Sequence, residues 1–223
     1  DVRSFRGSWY RYDLTSAYRW AGSIGLPDPT TYRVVRGPRG TRDGLWIIEL
    51  EEHRPDLPPV FAEAGNIAVA STEEIDRYNL RCTVRRGVTW SRMMPDGYVD
   101  DTLAKLPCAK QAGRAYWGRW IARDPLVCQT PNATWHLHNR HAHFVWGWLI
   151  VGRVRLRVWE VAQEAAHVYV DEVVVPHELP TGDVPGSWHL KEYYPQGVDV
   201  RRTGWYGPRG ASDTMRTGHV RQH

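Results

Sequence analysis

Two acidic residues stand side by side in the middle of a β-branched run, Val168-Tyr169-Val170-Asp171-Glu172-Val173-Val174-Val175. The flanks read as strand. A charge inside a strand core is costly unless it is paired or bound to a metal. Two arrangements satisfy the sequence. Either the acids meet a cation, or the run folds back as a hairpin whose tip exposes Asp171-Glu172 to water. Successive residues of a regular strand point to opposite faces. Asp171 and Glu172 can therefore serve one site together only if the chain turns sharply between the valines.

A further acid stands at a strand end. Trp9-Tyr10-Arg11-Tyr12-Asp13 reads as a strand and Leu14 to Ala21 as a short helical pattern. Asp13 is then either the helix N-cap, with Tyr18 in the core, or a metal platform. In the second case its carboxylate leaves the sheet at the edge, and the next backbone carbonyl can face the same metal. A basic cluster lies between these acids, Lys110-Gln111-Ala112-Gly113-Arg114-Ala115-Tyr116-Trp117-Gly118-Arg119-Trp120. On a helix Lys110, Arg114 and Trp117 share one face. Two cations and an indole suit a triphosphate and a base; a solvated basic face is the plainer alternative. Gly113 and Gly118 each cost about 1 kcal/mol inside a helix, which close approach of a ligand would explain.

Composition narrows the class. The chain has 223 residues, 29 Lys plus Arg, 25 Asp plus Glu and a net charge of +4, with 42% hydrophobic and 24% charged residues. These values exclude a disordered tail, a collagen-like repeat and a disulfide-dense mini-protein. The longest apolar run, Phe144 to Val151, is less than half of the roughly 18 residues a membrane-spanning helix needs. Only Lys105, Lys110 and Lys191 are lysines; the other basic residues are Arg, which suits planar, bidentate phosphate contacts. With 12 Trp and 11 Tyr against 3 Phe, most rings can both stack on a base and hydrogen-bond. The net charge is too mild to establish a nucleic-acid partner by itself. Cys82, Cys108 and Cys128 are odd in number and unpatterned, which points to a reducing, cytoplasmic setting. A first residue Asp1 without a signal peptide leads us to expect a fragment or a processed chain.

The element order is α+β, an antiparallel sheet backed by helices. Strands are expected over 31–36 and 45–51, and a capping box, Ser71-Thr72-Glu73-Glu74, opens a helix to Tyr78. Leu80 to Val84 and Gly87 to Trp90 read as a hairpin, 102–122 as a helix, and 126–143 as a polar, irregular stretch. A long helix runs from Phe144 or Trp148 to Ala166. Strands follow over 188–193 and 198–206.

Taken together, these motifs resemble those of family B DNA polymerases. Asp13-Leu14-Thr15-Ser16-Ala17-Tyr18 is similar to motif A (Asp-x-x-Ser-Leu-Tyr-Pro), Lys110 to Trp120 to motif B (Lys-x-x-x-Asn-Ser-x-Tyr-Gly-Lys-Phe), and Tyr169-Val170-Asp171 to motif C (Tyr-x-Asp-Thr-Asp-Ser), in the family's order. The protein-primed phage and linear-plasmid branch is the nearest in pattern. Phe5-Arg6-Gly7-Ser8 stands at its Tyr-x-Gly-Gly position and Leu149-Ile150-Val151-Gly152-Arg153 resembles its Thr-x-x-Gly-Arg element. Ser187-Trp188-His189-Leu190-Lys191-Glu192 resembles its Gly-x-Trp…Glu segment, and Arg201 to Tyr206 lies near its Lys-x-Tyr motif. Motif A ends in Arg19 rather than Pro. Motif B has Arg114-Ala115 for Asn-Ser, and motif C has one Asp-Glu, so Asp171 can match either aspartate.

The resemblance implies a polymerase palm with short helical fingers. Residues 1–101 would carry motif A and a β-rich insertion, 102–125 the fingers helix with motif B, and 126–223 motif C and a remnant toward the thumb. It implies two-metal phosphoryl transfer, with Asp13 and Asp171 bridging two Mg²⁺ (or Mn²⁺) ions about 3.5–4 Å apart and Glu172 as a further ligand. Lys110, Arg114, Tyr18 and Leu14 would meet the nucleotide. Arg6, Gly7, Trp117, Gly118, Gly152 and Arg153 would hold nucleic acid. The implied partners are primer–template DNA, deoxynucleoside triphosphates, and a terminal protein or separate exonuclease or thumb chain. No membrane is implied, and the setting would be the cytoplasm, the host's for a viral chain. Three rivals stand beside this. They are a catalytically impaired palm-like nucleic-acid-binding or assembly subunit, a template-independent nucleotidyl transferase, and a Trp-rich structural module. A zinc role for His136, His138, His141 and His143 beside Cys128 is the weaker reading of that cluster; a polar loop is the other.

Overall fold

Most expected strands lie in antiparallel pairings, and the strand expected over 198–206 is instead two, Val198–Arg202 and Trp205–Pro208, paired with each other. The computed structural model describes residues 2–40, 42–98, 126–130, 133–137, 143–202, 205–210 and 216–217. Chain order runs β1 (Arg3–Phe5), β2 (Trp9–Leu14), α1 (Ala17–Ser23), β3 (Arg33–Arg36), β4 (Gly44–Leu50), β5 (Ile67–Ser71), α2 (Thr72–Arg77), β6 (Cys82–Thr89), β7 (Leu126–Thr130) and β8 (Ala133–Leu137). It continues through α3 (Phe144–Ala162), β9 (His167–Tyr169), β10 (Glu172–Val175), β11 (Trp188–Tyr194), β12 (Val198–Arg202), β13 (Trp205–Pro208) and β14 (Arg216–Thr217). The chain divides into two compact units, residues 1–20 with 154–223, and residues 21–153. The expected fingers helix over 102–125 lies outside the described residues.

In the first unit β2 is the centre of a sheet ordered β11-β2-β10-β9, and a second sheet runs β1-β12-β13-β14. Alternation along β2 and β10 sends Tyr12, Leu14, Val173 and Val175, all nearly inaccessible, to one face. Full burial of each such side chain contributes about 1.5–3 kcal/mol. The other face of β2 and β10 carries Trp9 and Val174. These pack with Val198, Val200 and Tyr206 of the second sheet, and with Tyr194 and Phe5. The segment from Trp9 to Leu14 thus sits on a strand with buried residues on both sides, which fixes its register.

In the second unit the sheet order is β3-β6-β4-β5. The indole of Trp46 is fully buried and donates through Nε1 to Thr72 Oγ1 at 2.9 Å. Gly44 and Gly87 lie against that ring, and a Cβ at either would collide with it. Gly87 is therefore a packing glycine. The hairpin expected over 80–90 is instead one strand, β6, which absorbs an extra residue at Arg85 as a bulge between Val84 and Arg86. The capping box forms as read from the sequence. Ser71 Oγ accepts from the Glu74 N–H at 3.1 Å, and Glu74 Oε2 accepts from the Ser71 N–H at 2.9 Å. Residues 126–137 also depart from expectation: β7 and β8 pair from Leu126↔Leu137 to Thr130↔Ala133. Their polar, His-containing composition hides the two-residue period in the sequence.

Candidate active site

The segments that resemble motifs A and C meet at one end of the first sheet. Strand β2 lies between β10 and β11, so Asp13 faces Glu172 on one neighbour and His189 on the other. Directly opposed residues in such a ladder have Cα atoms about 4.5–5.5 Å apart. The ladder continues one step: the Leu14 N–H donates to the Asp171 carbonyl at 2.9 Å. Asp171 thus stands opposite Leu14, at the tip of the tight β9–β10 hairpin, where Tyr169 pairs with Glu172. Val170 takes φ +58° there, an unfavourable value for a β-branched residue. Both arrangements open for the acidic pair are met in part: the run folds back as a hairpin with half-buried Asp171 at its tip, while Glu172 meets the Arg11 cation. Glu172 is buried in the strand.

Asp13 is not a helix cap. It belongs to β2, and α1 begins only at Ala17, after a turn in which Ser16 has φ +48°. The turn is pinned from the segment before β11. Thr15 donates to the Ser187 carbonyl and the Gly186 N–H donates to the Thr15 carbonyl, each at 2.8 Å. Gly186 has φ +86° and the Trp20 ring lies where its Cβ would be, so no other residue fits without displacement. Tyr18 is half-buried, and burial followed by the charge of Asp171 raises its phenol above the usual range. The side chain of Leu14 is buried, leaving only its backbone to a ligand.

Glu172 has a different task from the one its sequence position implies. Its Oε2 accepts from Arg11 Nε at 2.9 Å and from an Arg11 terminal nitrogen at 2.6 Å, while its Oε1 accepts from the Tyr206 hydroxyl. Arg11 also lies 3.5 Å from Glu192 and 5.5 Å from the centre of the Tyr206 ring. Both carboxylate oxygens are taken by donors, so the expected metal role for Glu172 is corrected to a buried anion that ties β10 to β13 of the other sheet. Burial, then hydrogen bonding to Glu172, holds the Tyr206 phenol protonated well above its ordinary pKa.

His167 closes this cluster. Its ring lies 4.7 Å from that of Tyr206, and burial, followed by repulsion from Arg3 and Arg11, lowers its pKa to about 4. The unfolded chain binds the proton near pH 6.5 and the folded chain only near 4, so stability is present above that window and is lost as pH falls through it. Roughly 3 kcal/mol is at stake across the window. Urea unfolding at pH 7 and pH 4 should show this acid loss, and His167→Phe should flatten it. An unchanged acid limb in His167→Phe would show that His167 is protonated without penalty.

The remaining sequence candidates separate clearly. Arg6 and Gly7 form an exposed turn between β1 and β2, with Gly7 at φ +89° and the Arg6 carbonyl accepting from Trp9 Nε1 at 3.0 Å. Gly152 and Arg153, expected to hold nucleic acid, do structural work. A Cβ on Gly152 would lie 2.5 Å from the buried Glu74 carboxylate. Arg153 donates to the carbonyls of Ala21, Ile24 and Gly25 at 2.8, 2.9 and 2.8 Å. It thereby satisfies carbonyls that the end of α1 leaves without helical partners. Lys110, Arg114, Trp117 and Gly118 lie outside the described residues, as do His138 and His141. The His143 ring stacks on Trp146 at 4.6 Å.

Asp13 and Asp171 offer carboxylate oxygens, the donor type a hard divalent cation takes. Both residues are half-buried, and the Asp171 backbone pairs with Leu14, the residue after Asp13. A cation already accompanies the first, Lys191 Nζ, which lies 3.2 Å from Asp13 Oδ2. Among the described residues no three His, Cys, Asp or Glu side chains gather as a metal cluster. Mg²⁺ needs fewer, since it keeps several waters and is commonly held by one or two carboxylates with substrate phosphates. Lys191 and Arg11 are the residues near the site that motif reading passed over. The rarity of lysine in this chain was the available signal for the first.

No family model matches the chain, and no curated protein matches it. Solved structures do. The chain is folded like phi29 DNA polymerase. In the ternary complex of that enzyme with primer–template DNA and incoming nucleotide, the likeness covers 92% of this chain and 47% of the polymerase at TM-score 0.59 and 14% identity. In the binary complex with primer–template DNA the values are 92%, 45%, 0.61 and 14%, and with single-stranded DNA 90%, 45%, 0.58 and 14%. The chain spans about half the length of the phi29 polymerase it matches. The resemblance drawn from the motifs to the protein-primed branch is thus present in the α+β, antiparallel fold. Among the described residues no helix is long and apolar enough to cross a membrane.

Proposed function

We propose that this chain is the palm-bearing part of a protein-primed family B type DNA polymerase, adding deoxynucleotides to a primer hydroxyl during phage or plasmid replication. One observation carries the reading: Asp13 and the hairpin tip bearing Asp171, far apart in sequence, are ladder neighbours at one end of β2. Asp13 and Asp171 would hold Mg²⁺, or Mn²⁺, with hard oxygen ligands. A bound divalent ion supplies charge stabilisation at the attacking and leaving oxygens. Tyr18, fixed beside Asp171, packs under the nucleotide sugar. By the motif resemblance Lys110 and Arg114 would meet the triphosphate, and Trp117, Gly118 and the Arg6–Gly7 turn would take the nucleic acid. Leu14 contributes through its backbone. A terminal protein, or separate exonuclease and thumb chains, would complete the enzyme.

A second reading, a catalytically impaired palm that binds nucleic acid or serves assembly, is favoured by the ammonium on Asp13 and the engagement of Glu172. Extension of a labelled primer, or of a protein hydroxyl, with Mg²⁺ and each nucleotide offered separately decides between them. Template-directed incorporation is expected. Binding to primer–template should weaken with salt at a slope of about 0.9 per phosphate neutralised. Salt-sensitive binding without incorporation, with partner chains restored, would establish the impaired subunit. Incorporation indifferent to template would establish the terminal transferase.

A further inference from the structure

Strand β11 carries one residue too many. Leu190 pairs with Tyr12 and Glu192 with Arg11, so Lys191 is the unpaired residue of a bulge. Bulges re-aim a side chain, and they are frequent beside active sites. Here the bulged side chain reaches across to Asp13, with Nζ 3.2 Å from Oδ2. Both side chains are partly exposed, at 39% and 33%, so the pair is open to exchange with solvent ions. Lysine is also exceptional in this chain. The two other lysines are Lys105 and Lys110, and the rest of the 29 basic residues are Arg. An ammonium is a compact point charge, whereas a guanidinium forks onto a carboxylate through two parallel bonds.

We propose that Lys191 is a resident counter-ion of Asp13, a positioning residue that holds the carboxylate aimed until a divalent cation displaces it. The inference rests on the reading of Asp13 as a metal ligand. The metal must then compete with the ammonium, and the single-point contact makes Lys191 displaceable where Arg would not be. The bulge supplies the freedom for the side chain to swing away without breaking the ladder on either side.

Mn²⁺ affinity of the full chain, followed by electron paramagnetic resonance and by the shift in Tm that Mn²⁺ produces, tests this without any turnover. Lys191→Met should bind Mn²⁺ roughly tenfold more tightly than the wild type, since a like charge is removed from the ion's surroundings. Lys191→Arg should bind it more weakly than the wild type, because the forked pair is harder to displace. Unchanged or weakened binding in Lys191→Met, with binding abolished in Asp13→Asn, would overturn the counter-ion role and leave the assignment of Asp13 standing. Wild-type affinity retained in Asp13→Asn would remove Asp13 as a ligand and the proposal with it.

Discussion

Asp13→Asn and Asp171→Asn should each lower Mg²⁺-dependent incorporation by roughly 10³-fold or more, equivalent to at least about 4 kcal/mol of transition-state stabilisation. An amide keeps the shape of each side chain but loses the charge that would hold a divalent ion while negative charge develops on two oxygens. Fold stability should change little. Asp13 is partly exposed and its partner Lys191 more so, and such pairs contribute about 0–1 kcal/mol. Primer extension and urea unfolding on the same preparations separate the two quantities. Equal activity in wild type and Asp171→Asn would show that the hairpin tip is not the motif C acid.

Glu172→Gln should behave in the opposite way, with a loss of about 3 kcal/mol in stability, because removing one partner of a buried ion pair leaves the other charge uncompensated. The side chains of Arg11 and Glu172 are 16% and 9% exposed. With the carboxylate gone, the acid left to Arg11 among the described residues is the more distant Glu192 at 3.5 Å. The amide also offers Tyr206 and Arg11 weaker acceptors than a carboxylate does. Urea unfolding should show the loss, and replacing Arg11 by Met in the same chain should recover part of it. Mn²⁺ affinity should stay unchanged. A variant of wild-type stability with weakened Mn²⁺ binding would return Glu172 to the metal site.

These two acids show how far local sequence reaches. Strand β2 and the capping box at Ser71 were legible, and a turn after Val170 was one of the two arrangements the sequence allowed for the acidic pair. Each depends on residues within one or two turns of chain: a two-residue period, a Ser with Glu three positions on, and charges that a strand interior rejects. The order of the motif-like segments was legible too, and with it the α+β class. What each acid does was not. Asp171 and Glu172 are neighbours in sequence, yet the φ of Val170 and the pairing of Tyr169 with Glu172 send one to a tip and the other into the interior.

The same holds for the residues whose roles changed. Gly152-Arg153 has the spacing of a nucleic-acid-binding element, but its use depends on Glu74 and on the carbonyls of residues 21–25, far away along the chain. The segment from Leu80 to Trp90 reads as a hairpin until the pairing with the strand over 44–50 shows one strand with a bulge at Arg85, and Gly87 packed against Trp46. By itself the sequence indicated most of the antiparallel strands, because backbone periodicity acts locally, and the motif resemblance brought forward Asp13, Asp171 and Glu172 as the acids to watch. Only the tertiary structure decided that Glu172 belongs to Arg11 and Tyr206, and that Lys191 belongs to Asp13. Ion pairs form between whichever charges the sheet register and a single bulge bring within about 4 Å, and neither is written in the residues beside them.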